Sequence, residues 1–513
     1  MKKTHASAVI ALAATAALVT GCATGGGDDG GSEEIRDSVT IGLNVALASL
    51  QPMSAFSREE QVVIGNIFDT LVEYQDGEYV PSLAESYEIS DDQLTYTFHL
   101  RDDVTFHNGE KLTADDVKYT FDSMPDFPFW KENSSYIASS EVIDEYTVAV
   151  HTTAATAYNL VVLSGTEVIN EEAIEEHGAD EQFFPVGTGP YQFVSYDGTG
   201  TIELERYDDY FGWADGEPAP IKTATYKVFA DEESMSLALA AGELDLVAKL
   251  NASSALQFED NPDFTVDYVD SDSVYLALMN TDVAPFDDPL VRQAVAYGID
   301  REGVNALVSE GKDVPWDHFY SEKAAGAPDY EALPHYEYDV DKAKELLAEA
   351  GYPDGITLTS PVPTMVGLDG YAVAIQQQLA EIGIDFEIET FEQNALYDKI
   401  FAMDYQLLPF ALSTEIYDMS YPARFFMSPA ADSMPFPTGS FGTPELDDLL
   451  NRAAASTDLD ERRELYTEAY TDLFDLQPIV SVLSQQTAIV KKADLDYSTP
   501  EVLKVELKNL SWN

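Results

Sequence analysis

The chain has 513 residues, more than one hydrophobic core organises, and its 45% hydrophobic and 11% aromatic content excludes a disordered protein and implies several packed units. Asp and Glu number 93 against 27 Lys and Arg, a formal net charge of -66, which excludes nucleic acid as the principal partner, because phosphate binding needs clustered cations. So acidic a surface repels itself, and stability is expected to rise from dilute buffer to molar salt.

At the start of the chain, Lys2 and Lys3 precede an apolar stretch from Ala8 to Val19. It is shorter than the ~20 residues that span a bilayer, and residues 1–21 read as an export signal. The stretch Leu18-Val19-Thr20-Gly21-Cys22 resembles a bacterial lipobox, which makes Cys22 the expected lipidation site and the mature N-terminus. Cys22 is the only cysteine, so no internal disulfide is possible. Residues 22–38, rich in Gly and acid, read as a flexible tether. Two acyl chains, at ~0.8 kcal/mol per buried methylene, would hold the protein at a membrane surface.

Further along, period-two alternation over Val39–Val45 and Leu94–Leu100 predicts half-buried strands. Thr113 with Asp116 predicts a capped helix through Phe121, and Asp288-Pro289 and Thr443-Pro444 each place a cap before a proline that opens a helix. Asp339 caps a predicted helix through Leu346 and Leu347 that Gly351 and Pro353 stop. Tyr466, Tyr470 and Phe474 recur at the spacing of a core-facing helical stripe. Gly187-Thr188-Gly189-Pro190 reads as a turn rather than a phosphate loop, and Asn280 as the organiser of a turn before Pro285. Strands interleave with helices and no internal repeat occurs, which predicts an α/β protein of more than one lobe.

Several ordered blocks then resemble one family. IFDTLVEYQDGEYVPSLAESYEISDD and YTFHLRDDVTFHNGEKLTADDVKYTFD lie between Asn66 and Asp122. VGTGPYQFVSYDGTGTIELERYDDYF starts at Val186, YLALMNTDVAPFDDPLVRQAVAYGIDRE at Tyr275, YDVDKAKELLAEAGYPDG at Tyr338 and FGTPELDDLLNRAAASTDLDERRELY at Phe441. Together they resemble the family 5 extracytoplasmic solute-binding proteins of oligopeptide, dipeptide and nickel importers.

The resemblance implies a two-lobed class II periplasmic-binding-protein fold with an extra subdomain. Lobe I is expected from 39–52, 175–268 and 483–513, the subdomain from 53–174 and lobe II from 269–482, with crossovers near Asp270 and Leu483. It also implies a monomeric receptor outside the cytoplasm that closes over a small ligand, most simply a di- or oligopeptide, and delivers it to a permease of two transmembrane subunits with their ATPases. An oligosaccharide, a metal chelate or an opine-like compound, or a surface sensor role, are the alternatives.

In peptide-binding members a loop patterned W-x-A-D-Y-x-D-P supplies the carboxylate that meets the ligand's ammonium. The matching stretch here, Leu412 to Met419, lacks the Trp and the Asp-Pro and offers Glu415 first and Asp418 second. Other rim candidates are Gln51, an apolar wall of Trp316, Phe319 and Tyr320, and Arg424 for a ligand carboxylate. An enzyme is not expected: His99, His107, His151, His177, His318 and His335 are dispersed in the sequence and form no zinc motif. No cofactor and no metal are expected.

Overall fold

The computed structural model describes residues 36–513 apart from 46, 56, 76–77, 128–129, 179–181, 319–323, 364–367, 392–398, 401, 414–417, 424–441 and 498–503. The export signal, the lipobox with Cys22 and nearly all of the tether lie outside the described residues. Asp37 already belongs to the body, since its carbonyl accepts from Lys222 and Thr223 and its carboxylate lies 2.9 Å from Lys222 Nζ. Among the described residues no helix is long and apolar enough to cross a membrane.

The fold is α/β, and its largest element is a mixed nine-stranded sheet. From one edge the strands run Leu407–Ser413, Phe264–Met279, Ile479–Lys492, Leu246–Asn251, Ser38–Leu43, Thr223–Val228, Thr201–Arg206 and Tyr191–Tyr196, with Val314–Pro315 paired to Ile479–Lys492 off this path. A separate four-stranded antiparallel sheet combines Ala84–Ile89, Thr95–Leu100, Thr147–Thr152 and Ile137–Asp144. In Thr95–Leu100 the alternation buries Tyr96, Phe98 and Leu100, as a strand with one face on a core requires.

Among the described residues the buried hydrophobics form four clusters, which group into two sets by the chain segments they draw on. One set, from Val39 to Phe258 and from Ala488 to Leu510, includes both the subdomain residues Tyr96 and Phe98 and the sheet residues Ile41 and Tyr226. Tyr96 and Phe98 of the four-stranded sheet therefore share a core with Ile41 and Tyr226 of the large sheet. The other set runs from Tyr275 to Leu483. Phe264–Met279 and Ile479–Lys492 pair antiparallel along their length and contribute to both sets. Their register shifts between Asp270↔Gln486 and Val274↔Ser484, and again between Tyr275 and Leu276. The change of core and the break in the ladder coincide, so the pair is least constrained where it passes from one lobe to the other.

Helix ends follow their caps. Ala114–Ser123 starts with a capping box of Thr113 and Asp116. Asp288, Asp339 and Thr443 accept from Leu290, Lys342 and Leu446 at the starts of Pro289–Gly298, Val340–Glu349 and Pro444–Ala455. In Leu459–Leu476 the predicted stripe faces inward, with Tyr466 and Tyr470 buried and Phe474 packed at the edge of the same lobe. The turn at Gly187 and Gly189 is a place of close approach: a Cβ on either would lie 2.0 Å from Ile67 O or 2.6 Å from Ile67 C. Asn280 donates to Met403 O and Tyr405 O and accepts from Asp282 N, which fixes the turn before Pro285.

Candidate cleft between the lobes

Away from the crossing strands the lobes touch again. Ala454 O, at the end of Pro444–Ala455, accepts from Ala157 N at 2.8 Å and from Thr156 Oγ1 at 3.1 Å. Nearer the crossing, Lys312 Nζ pairs with Glu259 and lies 4.7 Å from the Tyr268 ring. The subdomain hairpin of Val72–Gln75 and Glu78–Pro81 faces the second lobe: burial first, and then the charge of Asp418, raise the Tyr79 and Tyr74 phenols above their usual values. Tyr74 and Tyr79 have ring centroids 5.1 Å apart. The candidate cleft is placed between this hairpin and the second-lobe residues around Asp418.

On the first-lobe side, the 48–57 segment is clamped by a buried carboxylate. Glu60 Oε1 accepts from Ala48 N at 2.6 Å and Ser49 N at 2.9 Å, and Oε2 accepts from Ser57 N at 2.8 Å. Gln51 is 3% exposed and donates from Nε2 to Phe184 O at 2.9 Å. It precedes the short turn Pro52–Ser54 without a side-chain cap bond. Gln51, a rim candidate from the sequence, is buried here, and its amide donor ties its segment to the one at Phe184.

On the second-lobe side, Asp418 is fully buried and forms a two-pronged ion pair with Arg462, whose Nη1 lies 2.9 Å from Oδ2. Its Oδ1 also accepts from Ser420 N at 2.8 Å and Ser420 Oγ at 2.6 Å. Burial opposes the charge on Arg462, but Asp418 outweighs it and holds the guanidinium above its usual pKa. Gly326, with φ +74, leaves room for the Arg462 side chain, since a Cβ there would stand 3.1 Å from its Cζ. Asp418 as a carboxylate waiting for a ligand ammonium is thus corrected; its charge is already matched inside the lobe. Glu415 and Arg424 lie outside the described residues.

Trp316 belongs to its own lobe as well. Its backbone N–H donates to Val482 O at 3.0 Å, and its ring stands edge-on to Tyr330 at 5.3 Å and to His318 at 5.6 Å. Trp316 is half-buried and packs on residues of its own side of the fold, and Phe319 and Tyr320 lie outside the described residues. His107 is structural too: Nε2 meets Gly189 O at 2.9 Å, and burial pushes it down to about 4.

A recess of about 440 Å³ lined by Thr359, Glu389, Lys399, Met403, Tyr405 and Gln406 lies elsewhere, in the second lobe only.

Known proteins share this architecture. Residues 78–434 match the model of the bacterial extracellular solute-binding proteins, family 5 Middle. The glutathione-binding protein GsiB of Pectobacterium atrosepticum is 28% identical over 492 residues, 91% of this chain and 93% of that one. The periplasmic binding protein DppA of Helicobacter pylori, solved with the peptide STSA, is 26% identical with a TM-score of 0.74, covering 93% of this chain and 98% of that one. HbpA2 of Haemophilus parasuis matches in fold with a TM-score of 0.83 at 22% identity, over 93% of this chain and 100% of that one.

Proposed function

The chain belongs to family 5 of the bacterial extracellular solute-binding proteins, and from that premise we propose that it is a lipid-anchored receptor for short peptides, held outside the cell membrane through Cys22. It is an extracytoplasmic transport receptor of an ABC importer and not an enzyme; it binds a small ligand and works with a permease.

The observation that carries the mechanism is the double seam between the lobes. The crossing strands break register at Asp270–Val274, and Ala454 meets Thr156 and Ala157 on the far side. In the proposed division, 39–52, 175–268 and 483–513 form lobe I, 53–174 its subdomain and 269–482 lobe II, and the monomer closes about the register break. A ligand that touches both lobes favours closure, and closure removes its water. The permease then distinguishes loaded from empty by shape.

The peptide reading draws support from the names of the relatives, one a glutathione-binding protein and another solved with a peptide. A buried ammonium needs a carboxylate that no internal cation has claimed. Asp418 fails that condition, so Glu415 is the proposed ammonium partner, with Phe319 and Tyr320 as apolar surface and Arg424 for the ligand carboxylate. Titration calorimetry with di- to tetrapeptides and glutathione tests this. Glu415→Gln is expected to weaken the best ligand by roughly 10- to 100-fold, the worth of one charged hydrogen bond. Unchanged affinity in that variant removes the Glu415 assignment. A co-purified non-peptide ligand in native mass spectrometry, with no peptide bound, removes the peptide class.

A further inference from the structure

Asp317 and His318 are neighbours in the chain, and His335, 18 residues away, is brought beside them by the fold. The segment from Trp316 leaves the second-lobe sheet at Val482, and Tyr336 N returns to donate to Asp317 Oδ2 at 3.1 Å. That bond brings the two ends of the intervening loop together. His335 Nδ1 then lies 3.2 Å from Asp317 Oδ1, and His318 Nε2 lies 3.4 Å from the same oxygen. The two imidazole rings are 4.8 Å apart.

From this geometry we propose that Asp317, His318 and His335 form a binding site for a divalent transition-metal ion, of the zinc or nickel class, in the second lobe. Two nitrogens and one carboxylate oxygen suit such ions, while calcium and magnesium want oxygen only. Around a tetrahedral zinc with bonds of ~2.0–2.1 Å, ligand atoms stand ~3.3 Å apart. Both edges from Asp317 Oδ1 already have that spacing, and all three donor atoms lie within 4.8 Å of one another.

A second observation points the same way. His318 has only 8% of its side chain exposed, and its Nε2 is buried with no hydrogen-bond partner although it faces Asp317. A buried imidazole nitrogen without a partner is costly, and a metal ion is one group that satisfies it. Its ring is fixed between Trp316 and Tyr330, so the nitrogen cannot easily turn away. His335, half-exposed, leaves the remaining coordination positions to water. Arg301 is the opposing charge: it is buried, feels Asp317, and is held by Ser481 O and Tyr336 O. Its positive charge limits the net charge that the site gathers. The ion would staple the start and the end of the loop at 318 and 335, which is the loop that carries Phe319 and Tyr320.

The test uses the full chain, stripped with chelator and titrated with zinc chloride alone in buffer holding a large excess of magnesium, so that surface carboxylates are filled. Native mass spectrometry and calorimetry are expected to show one zinc per chain. His335→Ala, at a half-exposed position, and His318→Ala are each expected to weaken it at least ~10-fold; both retain Cys22. Circular dichroism identifies a variant that fails to fold, and His335→Ala then decides. Absence of a stoichiometric ion overturns the proposal, as does one equivalent retained at unchanged affinity in His335→Ala, which would put the ion elsewhere.

Discussion

Two buried carboxylates in different regions of the fold, Asp69 and Asp418, are held by opposite means. Asp69 accepts from the hydroxyls of Thr188 at 2.8 Å and Tyr210 at 3.1 Å. Neutral donors do not cancel the cost of burial, and Asp69 is pushed up to about 6. In the second lobe Asp418 has a guanidinium. The first arrangement raises the proton affinity of its carboxyl group, and the second matches a buried carboxylate with a buried guanidinium. The contrast explains why an acidic residue next to a cleft need not be a receptor for a cation.

The largest expected effect breaks the second arrangement. Arg462→Met leaves Asp418 buried without its counter-ion, and should cost ~3–5 kcal/mol in urea unfolding at constant salt. Adding Asp418→Asn should restore much of that loss. A single variant that unfolds like the parent would mean that water or another cation reaches Asp418, and the contrast would fail.

A smaller effect sharpens the first arrangement through pH. Asp69 has its folded pKa raised from 3.8 to about 6, so the folded chain holds this proton more tightly than the unfolded one. Its contribution is fully present below about pH 4 and is lost as pH rises through about 6. Asp69→Asn does not titrate, so its stability relative to the parent should improve with rising pH, by at most ~3 kcal/mol across the whole window. Melts at pH 5 and pH 7.5 check the sign; an equal difference at both values would mean that Asp69 does not titrate in that range.

The smallest effect comes from the next residue on the same helix. Arg463 Nη1 lies 3.3 Å from Asp460 Oδ1, with both side chains more than half exposed. Arg463→Ala should change stability by no more than ~0.5 kcal/mol, an amount that salt reduces further. Equal losses at positions 462 and 463 would show that burial is not what separates them.

The same adjacent pair shows how far sequence reaches. The four-residue spacing of Tyr466, Tyr470 and Phe474 marks the inner face of Leu459–Leu476, and Arg462, four residues before Tyr466, lies on that face; the pattern therefore carried a signal that Arg462 was buried. It carried none for Asp418, which is 44 residues away. Asp288, Asp339 and Thr443 were legible as caps because a cap acts within four residues. Gln51 was not legible, since its partner Phe184 is 133 residues distant.

Sequence alone determined the local elements, the acidic surface and, through ordered blocks, the family, because these depend on nearest neighbours along the chain or on composition. Tertiary structure alone decided which charges were already matched. Only packing brings Arg462 to Asp418 and His335 to Asp317, and only the removal of water around Arg462 and Asp418 turns a nearby partner into a strong one.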